Sequence, residues 1–242
     1  MCAFDQERRQ MSISHISRVV DLPRATVRRA LLTLLRLGYA EADGRMFRLT
    51  PRTLRLSSAY LTSNPVTTSL QPACEKLARL THETCLVAVI EDLEVVTIAF
   101  ALPPHSMPGG TGIGYRLPIY CTALGRVVLA SRSDSEIDAY FACAKLEKIT
   151  EFTEVNQAAI KRDILNVRDV GFSFMDQQAE YGYRSIAVPV RRFDGKIICA
   201  LNIGGRTERT TASCRKRQKN SVTSFWPSLE RQHTHRAFAG AG

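Results

Sequence analysis

Pro23 stands between two stretches of helical periodicity, and no α-helix runs through such a residue, because its ring removes a donor and clashes with the preceding turn. Before it, Ile13, Ile16 and Val20 fall at i, i+3 and i+7, one face of a short helix over residues 12–20. After it, Val27, Ala30, Leu31, Leu34 and Leu35 predict the buried stripe of a second helix that starts at Arg24 and reaches Leu37. Pro23 suits the start of that helix, and Gly38 stands where its stop belongs. Residues 39–42 and 46–49 flank Asp43-Gly44-Arg45, the pattern of a β-hairpin closed by an Asp-Gly turn. Helix, tight turn, helix, hairpin is the element order of a winged helix-turn-helix.

The second helix carries Arg24, Ala25, Thr26, Arg28 and Arg29 on and near its N-terminal face, and Arg45 occupies the wing tip. Arginine suits phosphate contact and bidentate guanine reading, and a threonine reaches a phosphate or a thymine methyl. These six residues are the candidate DNA-binding set. The competing reading is a solvated basic face on an ordinary amphipathic helix; the order of elements and the arginine at the wing tip weigh against it. Charge placement agrees. Residues 1–64 hold 11 basic and 5 acidic side chains, residues 65–204 hold 14 and 16, and residues 205–242 hold 8 and 2. The net +10 therefore sits at the two ends of the chain, around a slightly acidic middle.

The 242 residues have room for two small domains. No run approaches the ~18 apolar residues of a membrane span. Residues 1–10 are mixed and charged, without the apolar core of an export signal, so a cytoplasmic protein with reduced thiols is expected and no membrane partner. Seven cysteines, an odd number with no C-x-x-C, argue against a disulfide framework or a zinc site. A connector, helical in part, is expected over residues 53–65, then a helix over 66–80 with Leu70, Cys74, Leu77 and Leu80 inward. Residues 84–90 and 95–101 read as a hairpin around an acidic turn. Helices are expected over 123–131, 134–143 and 156–170, and strands over 173–176, 185–190 and 196–203. Strands on both sides of a block of helices predict an α+β domain with an antiparallel sheet. The organisation expected is a head over residues 1–52, the connector 53–65, a second domain over 66–205, and an atypical basic tail over 206–242 that is either disordered or the product of a shifted reading frame.

Several segments, in order, resemble the IclR family of bacterial transcriptional regulators. Residues 21–39 (DLPRATVRRALLTLLRLGY) are similar to its turn and recognition helix. Residues 114–130 (GYRLPIYCTALGRVVLA), 181–190 (YGYRSIAVPV) and 200–203 (ALNI) resemble segments of its effector-binding domain. The forms of the first two resemble the branch that controls catabolism of aromatic acids such as protocatechuate and 4-hydroxybenzoate. The resemblance implies a GAF-like effector domain, a homodimer or dimer of dimers on a palindromic double-stranded DNA operator, and a small organic or aromatic acid as effector. It also implies a full first helix, of which residues from Cys2 onward keep only the end, so that apolar faces of the remaining two helices are expected to be partly exposed. A terminal helix of the family is replaced by the basic tail.

An aromatic-acid site needs an apolar slot and a few polar groups. The resemblance puts it between the helix start at residues 120–125 and the sheet. Tyr120, Thr122, Ala123 and Leu124 belong to that loop and helix start, Ser185 and Asn202 point in from strands, and Met175 or Asp176 sits at the edge. Arg116 is a candidate cationic partner of the carboxylate. For Ser185 and Asn202 the competing reading is a polar group satisfied within the sheet; for Arg116 it is a surface charge. Arg184 is expected in a structural ion pair with Glu180. No cofactor or metal is expected. The run Gly109-Gly110-x-Gly112-x-Gly114 lacks the strand–loop–helix setting of a dinucleotide site, and His233-x-His235 offers only two ligands. Two other classes are weighed against the regulator: a small-molecule-binding protein whose head no longer binds DNA, and an enzyme using Cys121, for which no histidine base is evident.

Overall fold

The structure, a computed structural model, describes residues 1–208 except 6, 105, 107–111 and 193. The expected basic tail therefore lies outside the described residues from residue 209 onward, with His233 and His235, and so do Gly109 and Gly110 of the glycine run. The chain divides into two units, Met1–Ser63 and Asn64–Gly242.

In the first unit, Ser12 caps helix α1 (Ile13–Val19) by accepting the His15 N–H. Asp21, at φ 49°, turns the chain, and Pro23 opens helix α2 (Arg24–Arg36). Val27 and Leu31, one turn apart on α2, meet Ile16 of α1 in a small core that includes Ala3 and Met11. Ala30, expected inside, is exposed, and Leu34 and Leu35 are half-buried, because the seven-residue α1 is too short to cover the later turns of α2. Leu32 and Leu37 of this unit are about half exposed as well. Gly38 adopts φ +74° past the end of α2. Strands β2 (Ala40–Asp43) and β3 (Met46–Leu49) form the hairpin, with Gly44 at φ +58° in its two-residue turn. A two-residue strand β1 (Met11–Ser12), too short to show a period, pairs with the other edge of β3. A single 3₁₀ turn (Pro51–Thr53) leads into helix α3 (Leu54–Ser63), which buries none of its residues within the unit. Leu54, Leu56 and Tyr60 stand exposed on it.

In the second unit, Asn64 caps helix α4 (Pro65–Thr81), whose Leu70, Ala73, Cys74, Leu77 and Ala78 are buried. Leu80 was expected inward but is 54% exposed, since the repeated step of three carries it off the edge of the stripe. Six antiparallel strands follow: β4 (Thr84–Glu91), β5 (Glu94–Ala101), β6 (Arg116–Pro118), β7 (Ser173–Asp176), β8 (Tyr183–Arg191) and β9 (Ile197–Arg206). Their order is β6-β5-β4-β9-β8-β7, so the first and last long strands meet at the centre of the sheet. One face of the sheet, with Cys85, Val87, Ile186, Leu201 and Ile203, packs against α4. The other, with Leu86, Ala88, Met175, Ala187 and Ala200, packs under helices α5 (Ala123–Leu129), α6 (Asp134–Cys143) and α7 (Gln157–Val170). Period-2 alternation thus divides each central strand between two cores. Ser133 and Glu136 close a capping box on α6, and Gly171 at φ 76° ends α7. Among the described residues no helix is long and apolar enough to cross a membrane.

Candidate functional site

The segment Pro118–Gly125 is bent tightly because three local devices cooperate. Pro118 ends β6, residues Ile119–Cys121 make one 3₁₀ turn, and Thr122 caps α5 by accepting the Gly125 N–H at 3.1 Å. A Cβ at Gly125 would sit 2.3 Å from the Ile119 carbonyl oxygen, so only glycine lets α5 pack this closely on the turn before it. The helix start therefore lies directly over the sheet and roofs a partly open cavity, whose empty space is about 620 Å³ with the adjoining open solvent included.

The cavity walls are mainly apolar: Leu86, Val95, Leu117, Ala123, Leu124 and Met175. Polar groups enter at separate points. Ser185 and Met175 are paired across β8 and β7, and Asn202 is paired with Leu86 of β4 and Ala187 of β8. Register and pleat turn all of them to the same face. Asn202 is 3% exposed and its Oδ1 has no hydrogen-bond partner. A buried acceptor left unmade costs about 1–3 kcal/mol, which a donor brought by a ligand would recover. Thr122, Ala123 and Leu124 line the roof.

Three residues expected at the site lie off it. Arg116 extends across the sheet edge and is held by two carboxylates, Glu91 at 2.5 Å and Glu94 at 2.6 Å, leaving its neighbours Tyr115 and Leu117 to line the cavity. Tyr120 is buried elsewhere, its hydroxyl donating to the Glu147 carbonyl and accepting the Glu147 N–H. Asp176 pairs with Arg184 at 2.8 Å. That pair also replaces the expected Arg184–Glu180 contact; Glu180 instead lies 3.3 Å from Arg206.

Several lining residues carry no mark in the sequence as site residues. Thr97 shares the parity of Val95 on β5, so alternation along residues 95–101 could have found it. Tyr183 opens β8 with the parity of Ser185, so alternation could have found it too. Tyr115, Gln178 and Glu180 come from the loop before β6 and from the turn between β7 and β8, where no period exists. Burial and the nearby Glu180 raise the Tyr115 and Tyr183 hydroxyls above the usual tyrosine range, so both remain donors at neutral pH. Behind this wall Arg126 of α5 is fully buried, donating to the Tyr120 carbonyl at 3.0 Å, Asp163 of α7 at 2.5 Å and Gln178 Oε1 at 3.0 Å. With its Oε1 so occupied, Gln178 has its amide N–H groups available to the cavity.

Cys121 also lines the cavity, but burial pushes its thiol up to about 12. Its Sγ contacts the Pro118 carbonyl at 3.6 Å. Such a thiol is a small hydrophobe and a poor nucleophile. Among the described residues no group of three or more His, Cys, Asp or Glu is placed to hold a metal ion.

In the first unit, Arg24, Ala25, Arg28 and Arg29 are exposed on the N-terminal half of α2, Thr26 is half-buried beside them, and Arg45 is exposed at the hairpin tip. None of these four arginines pairs with a carboxylate among the described residues. No side chain caps α2; the Thr26 and Val27 N–H groups donate to the Pro23 carbonyl, and those of Arg24 and Ala25 remain available to an anion.

Comparison with known proteins places this geometry. Residues 58–225 match the family profile described as bacterial transcriptional regulator IclR C-terminal, and residues 1–44 match the IclR helix-turn-helix domain. The chain is 37% identical over 212 residues to the Pca regulon regulatory protein of Pseudomonas putida, covering 87% of this chain and 73% of that one. It is 31% identical over 213 residues to the p-hydroxybenzoate hydroxylase transcriptional activator of Acinetobacter baylyi, covering 86% and 78%. Among solved structures, a putative transcriptional regulator from Rhodococcus sp. RHA1 superimposes with a TM-score of 0.78 at 35% identity, over 100% of this chain and 95% of that one.

Proposed function

The chain belongs to the IclR family of bacterial transcriptional regulators, and from that footing we propose that its second unit senses a small aromatic acid while its first unit reads an operator. The observation that carries the sensing half is the apolar cavity under the α5 start into which Ser185 and Asn202 converge, with an orphaned acceptor on Asn202. A planar ring fills the slot between Leu86, Val95, Leu124 and Met175. A hydroxyl on the ring satisfies Asn202 Oδ1, and the acid is met by neutral donors: the Ser185 hydroxyl, the Gln178 amide and the Tyr115 hydroxyl. Arg116 takes no part, because Glu91 and Glu94 already hold it. The relatives named for the Pca regulon and for p-hydroxybenzoate hydroxylase support an aromatic acid as the class.

In the reading half, α2 enters the major groove. Arg24, Ala25, Thr26, Arg28 and Arg29 meet phosphates and base edges, and Arg45 probes the neighbouring groove. The head spans residues 1–52 and the effector domain 66–205, joined through residues 53–65. The protein works in the cytoplasm as a homodimer or dimer of dimers on a palindromic operator, and the exposed Leu54, Leu56 and Tyr60 of α3 support pairing of two copies. Effector binding shifts the placement of the paired heads and so their fit to the two half-sites.

The test is fluorescence anisotropy with DNA from upstream of the gene, over a salt series. Arg28→Ala should weaken binding about tenfold, the effect of one lost specific contact, and lower the salt slope by about one. Its exposed position leaves folding unchanged. Wild-type affinity in that variant would show that α2 is not the reading element.

A further inference from the structure

One side chain of the cavity has no role in holding an acid. Glu180 is the only Asp, Glu, His, Lys or Arg lining it among the described residues, and a carboxylate there is of the same sign as an acid ligand. Its loop is fixed from several sides. The Thr150 hydroxyl donates to the Gln177 carbonyl at 2.6 Å, and the Thr153 hydroxyl donates to the Gln178 carbonyl at 2.7 Å. Arg126 holds the Gln178 side chain, and the Tyr183 N–H returns to the Glu180 carbonyl at 3.2 Å. Glu180 therefore keeps its place when the cavity fills. Its one ion-pair partner, Arg206 at 3.3 Å, is about half exposed and does not line the cavity, so it softens the field of Glu180 without offering a cation to the ligand.

We propose that Glu180 makes the cavity selective for singly charged aromatic acids and excludes ligands with a second carboxylate. This rests on the reading of the cavity as an aromatic-acid site. A monoanion places its one charge among the neutral donors and its uncharged end elsewhere. A dianion with carboxylates at opposite ends of the ring must leave one of them against the apolar wall or near Glu180, and both are unfavourable. Arg206 sets how strongly Glu180 repels.

Calorimetric titration of the full chain near neutral pH tests this with 4-hydroxybenzoate and terephthalate, which share a 1,4-substituted ring; terephthalate replaces the hydroxyl donor by a second carboxylate, so the charge effect is read from the change in the gap on altering Glu180. The wild type should prefer 4-hydroxybenzoate by about tenfold or more, the effect of one uncompensated like charge in a partly buried site. Glu180→Gln should close most of that gap, chiefly by tightening terephthalate. Arg206→Gln, which unshields Glu180, should widen it. A purely structural role for the loop would not move the two variants in opposite directions. Equal affinity for the two acids in the wild type, or a gap unchanged in Glu180→Gln, overturns this inference and leaves the aromatic-acid reading standing. No heat with either acid or with benzoate overturns that reading, and this inference with it.

Discussion

Cys121 shows how little a residue type says about chemistry until its surroundings are known. In sequence it is a cysteine in a loop of interest; in the fold its thiol is buried at the cavity wall and pushed up to about 12. A raised pKa favours the protonated form, so the thiolate population stays negligible through neutral and mildly alkaline pH. In the native protein, Cys2 and Cys143, both exposed, should therefore be alkylated by iodoacetamide well before Cys121, and raising the pH from 7 to 9 should not bring Cys121 level with them; peptide mass spectrometry reads the order. Rapid alkylation of Cys121 at neutral pH would revive the nucleophile reading. The same lesson covers the candidate site residues. Thr122, Ala123, Leu124, Met175, Ser185 and Asn202 meet at one cavity, since strand parity and the helix start determine where they point. Arg116 and Tyr120 are of suitable type but are claimed by partners far away in sequence, Glu91 and Glu94 for the first and the Glu147 backbone for the second, while Asp176 is taken by Arg184, opposite it on the next strand. No local pattern reveals a partner 20 or more residues distant, as Glu94 is from Arg116 and Glu147 from Tyr120.

At the scale of elements, the sequence is most readable where punctuation and periodicity agree. Pro23, Gly38 and Gly44 bound α2 and the wing hairpin, Asn156 and Gly171 bound α7, and Ser133 caps α6. It is least readable where an element is too short to have a period. Strands β1 and β6 are two or three residues long and exist through tertiary pairing alone, and the 3₁₀ turn at Ile119–Cys121 is a single local bond, from the Thr122 N–H to the Ile119 carbonyl. The turn matters most, because it sets α5 over the cavity. Gly125→Ala should accordingly cost about 1–3 kcal/mol, the usual penalty of forcing atoms into a packed site, and should weaken effector binding as well. Urea unfolding together with effector titration checks both effects. An unchanged midpoint would show that α5 has room to move away from Ile119.

Across the whole molecule, total charge is a poor guide and placement a good one. The net +10 divides between a head whose exposed arginines lie on α2 and the wing, and terminal residues beyond 208 that lie outside the described part. The middle of the chain is near neutral and builds its cavity from apolar walls and neutral donors, with one acidic residue at the side. A regulator needs these two halves to be coupled, and coupling is a difference in free energy that each site must feel from the other. The most direct measurement is the affinity of the protein for its operator, by anisotropy, without and with saturating 4-hydroxybenzoate. The account predicts a shift of at least about fivefold, the low end of typical coupling, that disappears when Ser185→Val and Asn202→Leu are combined. An operator affinity that is the same with and without an acid shown to be bound would contradict it.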